Sequence, residues 1–567
     1  MAAETVGTAL AVVGVLGQLF DGCVKAYNLF TTAANIDTDS QRLLCKVRIE
    51  EMRLVVWGRD WGVAEGRLEA HLDSTRNPQL RSLALQILEE LHSAVTDFKK
   101  LKDRYGLVDE GASGNGRASL DVGKTKPRKS PSPSRKSSKD EEARKLNGIA
   151  KSMSEMSWGK EMSLRARWVI TDKDKFTNLL KDLRDFNDGL ERLFPPSHLP
   201  SFQRAWTHQL LESAQRDIAQ LSLLETASTG VYPKLTTSAN LKKLRINLDA
   251  KPQASFRPTF ALKVPRAALE LSKDGDDGKG GRSKGRHETA GDVVIEWVNY
   301  DRDDVDERVV HVRRLDDLAR MMHSASECHP DLHSIDCVGY VDDFSRCRYG
   351  LVYKAPSSSF STLHELIASA DLKTPDLDDR VRLAHTLAVA LWSLHSLDWL
   401  HKSLCSSNIL FFPSAISTSA HSPTAAAALV PDIQRPYLTG FDASRPDLDT
   451  ALSVVPRNPS IMTLHRHPAS LRGYSHCKPM DIYSLGLVLL EIGLWKVLQT
   501  YHKPHYSQER WRDKVVRTAL VPGLGSKTGR RYQDVVDKCL AVSETMTSAE
   551  AATVIEDVVT ALEGIRV

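Results

Sequence analysis

The sequence predicts a multidomain chain: an N-terminal all-α helical bundle followed by a C-terminal α+β unit built as two lobes. Three observations carry this. Up to about residue 225, apolar residues recur at alternating steps of three and four with no strand pattern between them. From about 256 to 358 the texture changes to short β-branched and aromatic runs bounded by turn-formers. From about 359 to 567 long apolar helical patterns return. Residues 226–255 read as a linker between the two halves. With 567 residues, 41% of them hydrophobic, two to four domains of roughly 100–200 residues fit.

The bundle shows its helices as stripes. Val6, Leu10, Val13, Gly17, Phe20, Val24 and Tyr27 fall on one helical face. So do Leu80, Leu83, Ile87, Leu91, Val95, Phe98 and Leu101, and again Phe176, Leu179, Leu183, Phe186, Leu190 and Leu193, where Pro195-Pro196 ends the pattern. One segment, about 110–147, interrupts them. Gly123–Lys145 holds nine basic and three acidic residues and no large apolar residue, so nothing offsets the entropy of ordering it, and it is expected to be disordered. Its Gly-Lys-Thr triplet is no phosphate-binding loop, because Ala118 stands where that motif needs glycine. Ser130-Pro131 and Ser132-Pro133 make Ser130 and Ser132 phosphorylation candidates. The segment is either a solvated linker or a basic tether for acidic lipid.

Several function classes are disfavoured. A net charge of +4 gives no global nucleic-acid footprint. The eight cysteines form no CxxC pair, so neither a zinc site nor a redox motif is indicated, and Cys328 and Cys337 are expected as free thiols rather than a disulfide. No basic region precedes the first apolar run, and Ala2 breaks the myristoylation pattern, so a cytoplasmic protein is expected. Thr5–Phe20 comes nearest to a membrane segment: 16 uncharged residues, roughly 24 Å as a helix, short of the ~20 residues a span needs. Its Gly7, Gly14, Gly17, Ala9 and Ala11 would let helices pack closely in lipid. Val6, Leu10, Val13, Leu16 and Phe20 are therefore the membrane-insertion candidates. The competing reading is an N-terminal helix buried permanently in the bundle.

In the second half, Val293–Tyr300, Ile335–Asp342 and Tyr349–Pro356 read as strands, with a flexible Gly/Lys/Asp-rich insert at 273–291 before the first. The runs starting at Arg380 and Asp481 read as helices, and 414–430 is an Ala/Ser-rich low-complexity insert. Within this frame, "WLHKSLCSSNILFF" (399–412) nearly spells the catalytic loop H-R-D-L-x-x-x-N, "YLTGFDASR" (437–445) sits where D-F-G belongs, and Asp481 opens a long helix. In this order and spacing, the motifs resemble the protein kinase fold across about 290–560. The resemblance implies that His401 and Asp481 hold the loop's architecture.

The same comparison puts turnover in doubt. Phosphoryl transfer needs a carboxylate to orient the nucleophile, metal ligands and a lysine on the phosphates. The base position is Ser403, the first metal ligand aligns with Gly440, and no G-x-G-x-x-G lies upstream. Asn408 survives as the second ligand, and Asp442 lies two residues from the lost one. The lysine strand has two readings: Val293–Tyr300, offering Glu296 or Val298 and no lysine, or Phe260–Pro265, offering Lys263. The degenerate positions argue for a pseudokinase without a catalytic residue or resident metal. Nucleotide (ATP) binding without metal is left open.

The helical half resembles the HeLo domain of fungal Het-s-type proteins, through "VVGVLGQLFDGCVKAYNLF", "RLLCKVRIEEMRLVVWGRDWGV" and "RWVITDKDKFTNLLKDLRDFNDGLERLFP". That resemblance implies a filamentous-fungal cell-death or heterokaryon-incompatibility effector. It implies self-association on activation, conditional recruitment from the cytoplasm to a membrane, and an upstream activator that the sequence does not identify, with acidic membrane lipids as partners for the basic insert. The alternatives are an atypical ATP-dependent Ser/Thr kinase, with Lys263 and Asp442 replacing lost parts, and a non-catalytic signalling scaffold.

Overall fold

The computed structural model describes residues 14–31, 38–75, 77–109, 168–249, 260–272, 281–300, 305–415, 429–441 and 464–566. The chain divides into two compact units. The first takes residues 1–206 with 226–229, the second 207–225 with 230–567.

The first unit is a helical bundle: α1 (Val15–Thr31), α2 (Thr38–Asp60), α3 (Arg67–Thr75), α4 (Pro78–Thr96), α5 (Phe98–Asp103), and, after a short antiparallel pair β1 (Leu107–Asp109) and β2 (Trp168–Ile170), α6 (Lys173–Leu193). The apolar stripes make α1, α4 and α6 as expected, with Leu16, Leu19, Phe20, Cys23 and Tyr27 of α1 and Phe176, Leu179, Leu183 and Leu190 of α6 buried. The stripe from Leu80 to Leu101 is corrected in two ways. It breaks at Asp97, whose carboxylate caps α5 by accepting from Lys99 N and Lys100 N. The buried face of α4 runs through Ala84, Leu88, Leu91, Ala94 and Val95, leaving Leu83 exposed. Small residues that let helices approach carry no hydrophobic weight in a stripe of large side chains, so the sequence pattern passed over them. The basic insert, with Ser130 and Ser132, lies outside the described residues.

The helix α7 (Leu199–Ser213) passes from the first unit into the second at residue 206. It is followed by α8 (Ile218–Ser228) and α9 (Pro233–Asp249). Of the stretch read as a linker, 226–255, residues 226–228 and 233–249 are helical, and 250–255 lie outside the described residues. Leu235, Ala239 and Leu241 give α9 a buried face.

The second unit opens with a six-stranded mixed sheet in the order β3-β7-β8-β6-β5-β4. Its strands are β3 (Lys263–Val264), β4 (Leu269–Leu271), β5 (Arg282–His287), β6 (Gly291–Asn299), β7 (Cys337–Asp343) and β8 (Arg348–Lys354), with α10 (Val305–Cys328) between β6 and β7. The three expected strands are β6, β7 and β8. The insert expected at 273–291 is not flexible throughout, because Arg282–His287 forms β5. Its alternating charges hide it from a strand template. Yet Ser283 is buried under the Trp297 indole, whose Nε1 donates to Ser283 Oγ at 2.8 Å.

A largely helical part follows. It holds α11 (Leu363–Ala368), α12 (Leu377–Ser396), a small sheet β13-β10-β9 (Tyr437–Leu438, Ile409–Phe411, Ser361–Thr362) and a two-stranded pair β11 (Pro413–Ala415) with β12 (Leu429–Pro431). The helices α13 (Pro468–Leu471), α14 (Lys478–Leu494), α15 (Val521–Thr528), α16 (Arg530–Leu540) and α17 (Ser548–Glu563) complete it. Every side chain of α14 from Lys478 to Gly493 is buried, which is why the helix reads as apolar on all sides. Cys328 and Cys337 are free thiols.

Candidate functional site

The loop 399–408 is held from below by Asp481, in the first turn of α14. This carboxylate is completely buried and accepts from His401 N (2.8 Å), Lys402 N (2.9 Å) and two imidazoles, His476 Nε2 (2.8 Å) and His395 Nε2 (3.4 Å). Burial by itself would raise its pKa. The donors outweigh burial and hold the carboxyl well below the usual range. The clamp keeps Lys402 in the left-handed region, at φ +65°. His401 is wholly buried, and burial lowers its pKa, so it is neutral and stacks beside Phe441 with ring centroids 4.9 Å apart. Both residues are built into the packing of the loop. Ser403 is partly buried, and its backbone carbonyl accepts from Asn408 Nδ2 at 2.7 Å.

Above the loop lies β6, one of the two strands read for the lysine position, and its inward side chain is Glu296. Arg282 lies directly opposite in the antiparallel register of β5 and β6. The two form a buried ion pair, with Nε and Nη2 of Arg282 at 2.9 and 2.6 Å from Glu296 Oε1. Glu296 also accepts from Gly440 N, at 3.0 and 3.1 Å to its two oxygens, and from the Tyr353 hydroxyl at 3.3 Å. Arg282 spends its remaining donors on Ser407 O (2.8 Å), Asn408 Oδ1 (2.6 Å) and Thr439 Oγ1 (3.0 Å). One guanidinium thus joins the sheet to both loops that carry the candidate metal-binding positions. Asn408 is engaged at both ends of its amide, by Arg282 and by Ser403.

Gly440 is fixed as glycine by two constraints. Its φ is +83°, and a Cβ there would lie 2.4 Å from Asn408 Nδ2. No carboxylate fits this position while Asn408 keeps its place. Asp442 lies outside the described residues. Lys263 is not brought to the site: β3 is an edge strand of the sheet, separated from β6 by β7 and β8, and Lys263 is exposed, its ammonium 5.7 Å from the Phe260 ring. Among the described residues, no three His, Cys, Asp or Glu side chains gather as a metal cluster. The sequence did not flag Arg282, Thr439 or Tyr353. The available signal was a carboxylate at a lysine position on an inner strand, which demands a buried cation nearby.

In the first unit, the Trp-Gly pairs of α2 explain themselves. A Cβ on Gly58 would meet the Phe20 ring at 2.0 Å, so this glycine forms the slot in which α1 seats Phe20. Trp57 Nε1 and Trp61 Nε1 both donate to the Phe194 carbonyl, at 3.1 and 3.0 Å, satisfying an acceptor at the end of α6. Arg53, buried on α2, bonds Glu50 on its own helix and Asp188 and Glu191 on α6. A bundle of this build, closed by α6, is the arrangement expected for the helical half.

Residues 7–224 match the HeLo family model, described as prion-inhibition and propagation. Residues 310–560 match a domain of unknown function, DUF7580. No curated protein matches the chain.

Within the HeLo region, the membrane-insertion candidates divide. Leu16 and Phe20 are buried in the bundle, 1% and 9% exposed. Val6, Leu10 and Val13 lie outside the described residues. Among the described residues, no helix is long and apolar enough to cross a membrane. On α2, burial raises Glu51 to about 7, against a weaker opposing pull from Arg48.

Proposed function

We propose that this protein is a HeLo-type cell-death or incompatibility effector, with its second unit acting as a protein kinase-like regulator that does no phosphoryl transfer. The observation that carries the reading is Glu296. The side chain on the inner strand facing the two loops is an anion, paired with Arg282 and bonded to Gly440 N. With its charge already matched by Arg282, this side chain offers nucleotide phosphates no free ammonium to bind. The sheet with one helix between β6 and β7, followed by a mainly helical lobe, agrees with the kinase-like reading, and the match over residues 7–224 supports the effector reading.

On this reading, activation self-associates the protein, frees the N-terminal apolar segment from the bundle and inserts it in a membrane containing acidic lipid. Two arms on the full chain test it. Dye release from phosphatidylserine-containing vesicles should occur with the activated chain and vanish when residues 1–22 are removed. Thermal unfolding should be unmoved by ATP with or without magnesium. Undiminished leakage by the truncated chain would overturn the effector half. A magnesium-dependent rise in melting temperature with ATP would overturn the regulatory half.

A further inference from the structure

The HeLo match ends at residue 224, yet residues 207–225 are structurally part of the second unit. What fastens them there is a cluster of buried charges around Asp398, three residues before His401. Lys242 of α9 and Lys478 at the start of α14 are each 1% exposed, and they approach opposite oxygens of Asp398: Lys242 Nζ at 3.1 Å from Oδ2, Lys478 Nζ at 3.3 Å from Oδ1. Lys242 also donates to Leu211 O of α7 at 2.9 Å, and Lys478 lies 3.7 Å from Glu212 Oε2. Asp398 is placed for this by a left-handed backbone, φ +54°, a strained setting for any side chain outside glycine, Asn and Asp.

The fastening has further points of attachment. The His208 ring meets Trp392 of α12 edge-on at 4.5 Å, and Ser238 Oγ lies 2.8 Å from His329 Nε2 at the end of α10. The Arg245 guanidinium lies 5.6 Å from the Trp399 ring, which packs 5.4 Å from Phe441, the residue after Gly440. Helix α9, which follows the HeLo match, therefore reaches Trp399 and through it Phe441, next to Gly440.

We propose that residues 207–249 are a brace by which the second unit holds the end of the HeLo region, and that Asp398 is its pin. Two ammonium groups removed from water share this one carboxylate, and among the described residues Glu212 is the other acidic side chain at the cluster. A change in the 398–403 loop that withdraws Asp398 leaves Lys242 with only the Leu211 carbonyl and Lys478 with only the longer Glu212 contact, and frees the brace. This inference rests on the effector reading only for its consequence, since the brace itself is a statement about the second unit.

Asp398→Asn tests it, because Asn keeps the size and the tolerance for left-handed backbone while removing the charge. In the full chain, hydrogen exchange at 207–249 is expected to quicken about tenfold or more while α14 and the central strands β6 and β8 keep their protection. Asp398→Asn with Lys242→Met, which removes one stranded cation, is expected to recover protection. Unchanged exchange at 207–249, or a loss spread evenly over the unit, overturns the proposal. Dye release from phosphatidylserine-containing vesicles, measured on the same variant, separates the two ideas. Lost protection without leakage leaves the brace standing and counts against the effector reading.

Discussion

Replacing Arg282 by Met tests the central feature of the site, since it removes the charge and keeps most of the volume. Glu296 is 5% exposed and would keep only Gly440 N and the Tyr353 hydroxyl as donors. Removing one partner of a buried ion pair typically costs about 3–5 kcal/mol, and the two surviving donors place this case near the lower figure, about 3 kcal/mol. At about 1.4 kcal/mol per decade, the open population of β5, β6 and the 437–441 loop rises on the order of a hundredfold. Native-state hydrogen exchange on the full chain reads this directly at those amides. Pairing Arg282→Met with Glu296→Leu removes both charges and is expected to recover most of the loss, because an apolar pair of similar volume needs no desolvation. Exchange unchanged by Arg282→Met, or a double variant as open as the two single effects combined, would refute the reasoning.

Other outcomes follow from the same geometry. Gly440→Asp combined with Ser403→Asp, which puts a carboxylate at the two positions where the resemblance to kinases lacks one, is expected to yield no phosphate transfer from ATP and to destabilise the second unit, since the new Cβ meets Asn408. Transfer in a radiolabel assay would contradict this. Gly58→Ala would gain about 1 kcal/mol of helix propensity in a neutral setting. Here the added methyl displaces Phe20, so a net loss of about 1–3 kcal/mol is expected in urea unfolding of the bundle. Glu51, held at about 7 when folded against 4.5 in its ordinary state, binds its proton more tightly in the native bundle. Its contribution is therefore fully present below about pH 4.5 and is lost as pH rises through 7. Glu51→Gln should flatten the bundle's stability between pH 5 and 8, measured by thermal melts.

The parts whose cause is local could be read along the chain. Helical stripes marked α1, α4 and α6, since a 3.6-residue period places large apolar side chains on one face whatever lies opposite. Short β-branched runs marked β6, β7 and β8, and an all-apolar run marked α14. Ser403 and Gly440 were legible as departures because a motif is a pattern along the chain. Only the tertiary structure decided the rest. Whether the inner strand carries Lys263 or Glu296 depends on strand order, and β5 stayed hidden because the charge of its Arg282 is matched by Glu296 across the sheet on β6. Lys242, Asp398 and Lys478 are far apart in sequence and individually unremarkable as charged residues. Packing in three dimensions removes them from water together, and a charge out of water must find its partner across space, wherever the chain has placed it.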